Sequence, residues 1–218
     1  MFAFPAFPAP SRLRRSRLQS TTLGLTVALA GLLLSACFAG SAQAALISTG
    51  ACNEAELSQP FLQWGDSSSY ELVPGGNFDG SLSGWTLSGA TQRVAGGEPT
   101  SSAGPAGTYS LALAAGSSVQ SPPVCVNASY PTFRFFARSN ALLSTVLVQV
   151  VYQTALGTVS LPLGVAVPGS TWQPMPPMLT GSVVGGLLTG GTAEVTLRFT
   201  ALTGSSDIDD VFVDPRMK

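Results

Sequence analysis

The chain has 218 residues, 45% of them apolar and only 10% charged, with 24 Gly and 16 Pro. That is too apolar for plain disorder and too rich in turn residues for a coiled coil. It contains no His, which removes Ser-His-Asp and Cys-His catalysis and His-ligated zinc or haem. Charge is split along the chain. Arg12, Arg14, Arg15 and Arg17 precede the first acid, Glu54, and ten basic residues less these four leave six against eleven acidic ones. So acidic a remainder lacks the clustered cations that neutralise phosphates, so no nucleic-acid partner is expected.

Residues 12–44 read as an export signal. The basic stretch Arg12–Arg17 precedes an apolar run, Leu23–Leu34. Small residues then lead to Ala42-Gln43-Ala44, an A-x-A cleavage pattern before Ala45. A second reading competes there: Leu34-Ser35-Ala36-Cys37 matches a bacterial lipobox, with Cys37 as the lipidated first residue of the mature chain. One reading predicts release and the other a lipid anchor. In both the chain is exported, to the extracellular space or the cell surface, and meets a membrane only through the leader or a lipid on Cys37. Both also take Cys37 out of the mature thiol pool. Cys52 and Cys125 remain, and one disulfide between them suits an oxidising compartment. Chain entropy alone gives such a long closed loop roughly 4–5 kcal/mol.

The expected organisation is a leader over residues 1–44, an irregular arm over 45–69 and a β domain over 70–218. Phe61 and Trp64 in the arm look placed to pack onto the domain. From Tyr70 onward, short runs rich in Val, Leu, Phe and Thr alternate with Gly, Pro, Ser and Asn turns. The predicted strands are Tyr70–Val73, Gly84–Ser88, Tyr109–Ala114, Ser118–Ser121, Thr132–Arg138, Ser144–Tyr152, Thr158–Leu163, Thr171–Met175, Ala193–Ala201 and Ile208–Val213. Val195, Leu197, Phe199 and Ala201 alternate with Glu194, Thr196, Arg198 and Thr200, the pattern of a half-solvated antiparallel strand. Val146, Val148, Val150 and Tyr152 oppose Thr145, Leu147, Gln149 and Val151, which is apolar on nearly both faces and predicts a mid-sheet strand. No amphipathic helix stands out. The fold class is all-β, a two-sheet antiparallel β-sandwich.

The two ends of the β domain carry matching signals. The first reads Leu72-Val73-Pro74-Gly75-Gly76-Asn77-Phe78-Asp79-Gly80, then Gly84-Trp85; the last reads Ile208-Asp209-Asp210-Val211-Phe212-Val213. Together they resemble the jelly-roll carbohydrate-binding modules of the galactose-binding-domain-like superfamily. Those modules open on an N-x-x-F-E/D-x-G-x-x-x-W pattern and close on an I-D-D-V strand. Here Asn77 directly precedes Phe78, which departs from that spacing. The Cys-bearing arm, the Leu72–Gly76 element and Arg134-Phe135-Phe136-Ala137-Arg138 resemble secreted proteins of high-GC bacteria more closely, and that family implies a fold and no assigned activity. The resemblance implies a jelly roll and a structural calcium ion held by Asp79 with Asp209, or with Asp210 as second choice. The plainer reading makes these acids turn and edge residues.

The resemblance also raises glycan binding, to a polysaccharide or cell-wall glycan. Sugars present apolar C–H faces and hydroxyls, so a binding face needs exposed aromatic platforms beside polar side chains. Trp85, Trp172, Tyr109 and Tyr152 are the possible platforms and Arg134, Arg138, Gln149 and Arg198 the possible polar partners, of which Trp172, Tyr152, Arg134, Arg138 and Gln149 make the candidate site; Trp85 reads as core. Catalysis is not expected. Glycosidases need two positioned carboxylates, and the only acidic cluster is at the last strand. A Ser nucleophile without His needs a Lys base, and the single Lys is Lys218. Two functions remain: a secreted or surface-tethered module that binds carbohydrate, or a structural domain of the cell envelope with no sugar ligand.

Overall fold

Apolar residues at every second position of the two central strands build one buried face on each and, with it, the core. A computed structural model describes residues 56–100, 102, 107–127, 132–154, 157–180 and 192–213. All of these fall in one unit that runs from Ala44 to Lys218; the leader, Cys37 and Cys52 lie outside the described residues. The strands are β1 (Glu71–Leu72), β2 (Thr86–Ser88), β3 (Gln92–Ala95), β4 (Tyr109–Leu113), β5 (Ser118–Gln120), β6 (Val124–Asn127), β7 (Thr132–Ser139), β8 (Thr145–Thr154), β9 (Gly157–Ala166), β10 (Gln173–Pro174), β11 (Met178–Leu179), β12 (Thr192–Thr203) and β13 (Ser206–Val213). No α-helix occurs among the described residues; a single 3-10 turn, Leu62–Trp64, lies in the arm.

Every pairing is antiparallel. One sheet has seven strands in the order β10-β7-β13-β4-β3, with β1 also on β13 and β11 on β7. The other has six in the order β2-β5-β12-β8-β9, with β6 also on β12. The chain changes sheet repeatedly (β1 to β2, β2 to β3, β4 to β5, β6 to β7, β7 to β8, β9 to β10, β11 to β12 and β12 to β13), so the product is a jelly-roll β-sandwich. All ten expected strands are present. Three others, β3, β6 and β11, are additional. β3 is Gln-Arg-Val-Ala, with one strong β-former. β6 and β11 follow Pro122-Pro123 and Pro176-Pro177, which read as breakers, and each is held by a single partner strand.

The core lies between the sheets. Val195, Leu197, Phe199 and Ala201 face Val146, Val148, Val150 and Tyr152 in register across β12 and β8, and all are buried together with Phe133, Phe135, Leu111, Leu113 and Ile208. Phe199 packs edge-on to Phe135, with ring centroids 4.9 Å apart.

The two quoted ends of the domain meet. Val73 N–H donates to Val211 O at 2.9 Å, and Val211 N–H donates to Gly76 O at 3.0 Å. Gly76 is required there, because a Cβ would stand 2.8 Å from Val73 O and 2.9 Å from Val211 O. Phe78 is fully buried with φ 51°, in the left-handed region that side chains avoid. Trp85 packs edge-on to Phe78 and donates from Nε1 to Pro74 O at 2.8 Å, so it is core.

Phe199→Ala is expected to lower unfolding free energy by about 3–5 kcal/mol, the usual range for removing a buried ring. Urea denaturation checks it, with an unchanged m-value showing that the fold is retained.

Candidate functional site

The outward face of the seven-stranded sheet is built by parity. On β7, Phe133, Phe135 and Ala137 enter the core, so Arg134, Phe136 and Arg138 stand together on the other side. β13 lies beside it, with Asp207 opposite Arg138, Asp209 opposite Phe136 and Phe212 opposite Arg134. This face is not left to water. Phe61 from the arm stacks on Phe136, with centroids 5.4 Å apart and planes at 17°. It also meets Tyr70 and Phe212 edge-on. Phe61, Tyr70, Phe136 and Phe212 form a second buried cluster, against which Trp172 packs. Trp64 meets Phe136 edge-on at 5.2 Å and stays 39% exposed.

Arg134 holds the arm down. Its Nη1 donates to Asp66 Oδ2 at 2.7 Å, its Nε donates to Met175 O at 3.0 Å, and its guanidinium sits 4.2 Å from the Phe61 ring centre. Tyr70 Oη donates to the same Asp66 oxygen at 2.7 Å. Burial pushes the Asp66 carboxyl up, but hydrogen bonds from Tyr70, Ser68 and Arg134 outweigh it and hold it below its ordinary value. Tyr70 is pushed up by burial and by donating its hydroxyl proton to the Asp66 carboxylate.

Arg138 serves a different end of the face. Its Nε and Nη2 reach Asp207 Oδ2 at 2.9 and 2.8 Å, while Asn140 Nδ2 donates to Asp207 Oδ1 at 2.6 Å. The guanidinium lies 5.0 Å from the Trp172 ring centre and keeps part of its surface in water. A groove of about 430 Å³ runs beside the arm, lined by Ser58, Gln59, Pro60, Leu62 and Gln63 on one side and Thr100 and Ser102 on the other.

The remaining predicted residues lie elsewhere. Tyr152 points into the core; its hydroxyl donates to Thr180 O at 3.0 Å, and burial pushes its pKa up. Gln149 pairs across β8 and β12 with Arg198, on the outward face of the six-stranded sheet. There Arg198 donates from Nε and Nη2 to Gln120 Oε1, at 3.1 and 2.7 Å. The only rings in the strands of that sheet are Tyr152 and Phe199, and both face the core. Of the five residues expected to share one sugar-binding face, Arg138 and Trp172 come together. Arg134 is on the same sheet but committed beneath the arm, and Gln149 and Tyr152 are apart from both. Cys125, on β6, is disulfide-bonded.

The acids of the expected calcium site gather round the start of the Gly96–Thr100 segment, with Glu98, which sequence reasoning missed. Asp209 Oδ2 accepts from Glu98 N at 2.7 Å, and Asp209 Oδ1 accepts from Asp210 N at 2.8 Å. Asp79 Oδ1 accepts from Thr108 N and Tyr109 N at 2.7 and 2.9 Å. Burial, with the Asp210 and Asp79 carboxylates, pushes Asp209 up to about 8 against the pull of two backbone N–H groups. Glu98 is buried. Its Oε1 accepts from Thr100 N at 2.9 Å, while its Oε2 has no hydrogen-bond partner. The backbone fits closely here, since a Cβ on Gly97 would stand 2.8 Å from Asp209 Oδ2. Among the described residues no three carboxylate or thiol side chains already converge on one point as an ion shell. The donor chemistry nevertheless suits a hard cation: it is oxygen only, Glu98, Asp209 and Asp210 are buried, and one Glu98 carboxylate oxygen has no hydrogen-bond partner.

No protein-family model matches the sequence, and no curated protein matches it. Among solved structures, the chain is similar to the CBM22-1 and GH10 modules of Clostridium thermocellum xylanase 10B complexed with xylohexaose. The identity is 16% and the TM-score 0.40, over 64% of this chain but only 27% of that one. It is similar to TmCBM61 in complex with β-1,4-galactotriose at 18% identity and TM-score 0.41, over 66% of this chain and 97% of that one. It is similar to CtCBM11 at 12% identity and TM-score 0.44, over 68% and 96%. Each is a partial likeness at low identity.

Replacing Arg134 by Met removes the cation from the part-buried Asp66, which keeps its bonds from Tyr70 and Ser68, and is expected to cost about 1–2 kcal/mol. Adding Asp66→Asn recovers much of that loss, and a double-mutant cycle by chemical denaturation measures the coupling. Because the Asp66 pKa is depressed in the folded chain, its contribution is complete above the ordinary carboxylate range. It is lost as pH falls through the folded pKa.

Proposed function

We propose that this chain is a non-catalytic, exported β-sandwich module that binds carbohydrate on the arm-bearing face of the seven-stranded sheet. The observation that carries this reading is the placement of two part-exposed tryptophans, Trp64 and Trp172, around the Phe136 cluster, with Arg138 lying over Trp172. An indole face offers an apolar platform to the C–H face of a sugar ring. Arg138, Gln59 and Gln63 supply donors and acceptors for hydroxyls beside it. The part-exposed Arg138 keeps N–H groups beyond those spent on Asp207, because a guanidinium has five. The disulfide at Cys125 supports the exported part of the reading, and pairing with Cys52 belongs to it.

Isothermal titration with xylohexaose and β-1,4-galactotriose, the sugars present in two of the similar structures, tests the site. Binding to either is expected to weaken at least about tenfold in Trp172→Ala and in Trp64→Ala, since losing one stacked platform removes well over 1 kcal/mol. Gln149→Ala should leave it unchanged. Loss in Arg198→Ala with full binding in Trp172→Ala would move the site to the opposite sheet. Silence towards both sugars and a wider glycan panel would leave the structural-domain reading in its place.

The proposal includes a calcium ion held by Asp79, Glu98 and Asp209, with Asp210 as the alternative to Asp209. The buried, partnerless Oε2 of Glu98 supports it. When bound, the ion supplies the positive charge that lets these carboxylates ionise together. Glu98 also fixes Thr100 on the wall of the groove, so the ion would stiffen the sugar-facing rim. Without calcium, Asp209 keeps in the folded chain a proton that the unfolded chain releases near its ordinary value of 3.8. Stability should therefore fall as pH rises from about 4 to about 8. In chelator, Tm should drop between pH 5 and pH 8, and added calcium should abolish most of that drop. Identical pH profiles with and without calcium would remove the ion from the proposal.

A further inference from the structure

The guanidinium that lies over Trp172 brings donors to the sheet face without bringing a net charge. Asp207 stands opposite Arg138 on β13 and is 2% exposed. Its Oδ2 lies 2.9 Å from Arg138 Nε and 2.8 Å from Nη2. Its other oxygen accepts from Asn140 Nδ2 at 2.6 Å, so the carboxylate is held from both ends. Arg138 is held in turn, by Asp207 on one side and by Gly96 on another, where a Cβ would touch Nη2 at 3.7 Å. A guanidinium has five N–H groups. The two on Nη1 make no hydrogen bond among the described residues. The pair therefore presents fixed donors whose positive charge is matched, at contact distance, by a buried negative one.

The same balance recurs across the face. Arg134, two residues earlier on β7, is matched by Asp66 at 2.7 Å. Beyond the leader the chain has six basic residues against eleven acidic ones, so the long-range field does not favour an anion either. A sugar hydroxyl accepts from Nη1 whatever the net charge. A carboxylate or sulfate gains strongly only from an uncompensated cation, and here it also meets Asp207 as a like charge, which disfavours binding. We infer that Asp207 is a specificity-determining residue: by neutralising Arg138 it restricts the face to uncharged glycans and excludes those that carry uronate or sulfate. This rests on the carbohydrate reading above and names the class of sugar that reading takes. Asp207 is buried and acts through Arg138, not by touching the sugar.

Isothermal titration of the full chain compares a neutral sugar with the same sugar bearing carboxylates. One pair is β-1,4-galactotriose and its C6-oxidised, uronate form; the other is xylohexaose and xylohexaose branched with glucuronate. The wild-type chain is expected to bind the neutral member at least about tenfold more tightly. In Asp207→Asn that ratio should fall to about one or invert, and the gained binding should weaken with added salt. A purely structural loss would weaken both members together and leave the ratio in place. The double variant Arg138→Gln, Asp207→Asn removes both charges. Its ratio should equal the wild-type one although both affinities fall, a comparison that holds even where the urea midpoint shows the single variant to be poorly folded. Three results overturn the inference and leave the carbohydrate reading intact. They are wild-type binding of the acidic member as tight as the neutral, an unchanged ratio in well-folded Asp207→Asn, and a double variant that rejects the acidic member more strongly than wild type does. The last would show Arg138 acting as an uncompensated cation. Wild-type silence towards both neutral sugars would overturn the carbohydrate reading itself, and this inference with it.

Discussion

Strand β13 places three carboxylates in the interior, and the rest of the structure is arranged around that constraint. All eight of its residues are buried, and it is bonded to β1, β4 and β7. Isolated buried carboxylates are costly, and each is met differently. Asp207 is given an arginine and an asparagine. Asp209 is given two backbone N–H groups and a raised pKa. Asp210 sits in the left-handed region, with φ 44°, inside the register shift between Asp209 and Phe212. That shift lets Ile208, Val211 and Val213 all face the core while Asp209 and Phe212 face out. The Gly-Gly turn that receives Val211, the Glu98 segment that caps Asp209 and the Arg138 end of the sheet are all answers to this one strand.

The arm answers the apolar half of the same strand. Phe212 and Phe136 on the outward face would expose two rings, and Phe61 covers both. Arg134 joins the layers by binding the arm through Asp66 and stacking on the ring it delivers. A residue that reads as a ligand-binding cation is thus consumed by internal assembly. What stays open to solvent is the rim of the covered region, where Trp64, Trp172 and Arg138 emerge.

The strands with long alternating patterns were legible in the sequence because burial on one face repeats every second residue. β12 and β8 follow that rule at Val195, Leu197, Phe199 and Ala201 and at Val146, Val148, Val150 and Tyr152, although Thr196 and Val151 on the other face are buried as well. The same rule already separated two of the expected site residues, since Tyr152 shares its parity with Val150 and Gln149 does not. Parity correctly joined Arg134 and Arg138 on one face, but it could not reveal which of them the arm would cover, because that depends on a contact 68 residues away. Glu98 was illegible for a similar reason. It is a single acid in a Gly-Gly-Glu-Pro turn, and its burial comes from Asp209, 111 residues along the chain. Trp64 carried only the weak signal of a ring in a Gly-flanked arm.

Strand β9 is a long edge of the six-stranded sheet: ten residues with no charge, and with Val159 and Val165 about half exposed. Such an edge would ordinarily recruit a strand from another molecule and start a fibril. Pro162 lies at its middle, where the pairing with β8 also slips by one residue between Val148 and Gln149. A proline has no N–H to offer, and the slip bends the ladder on either side of it. The edge is cut into two short stretches, neither long enough to act as a template. A chain with so few charges to keep its copies apart therefore guards this edge against polymerising with one imino acid and one slip in register.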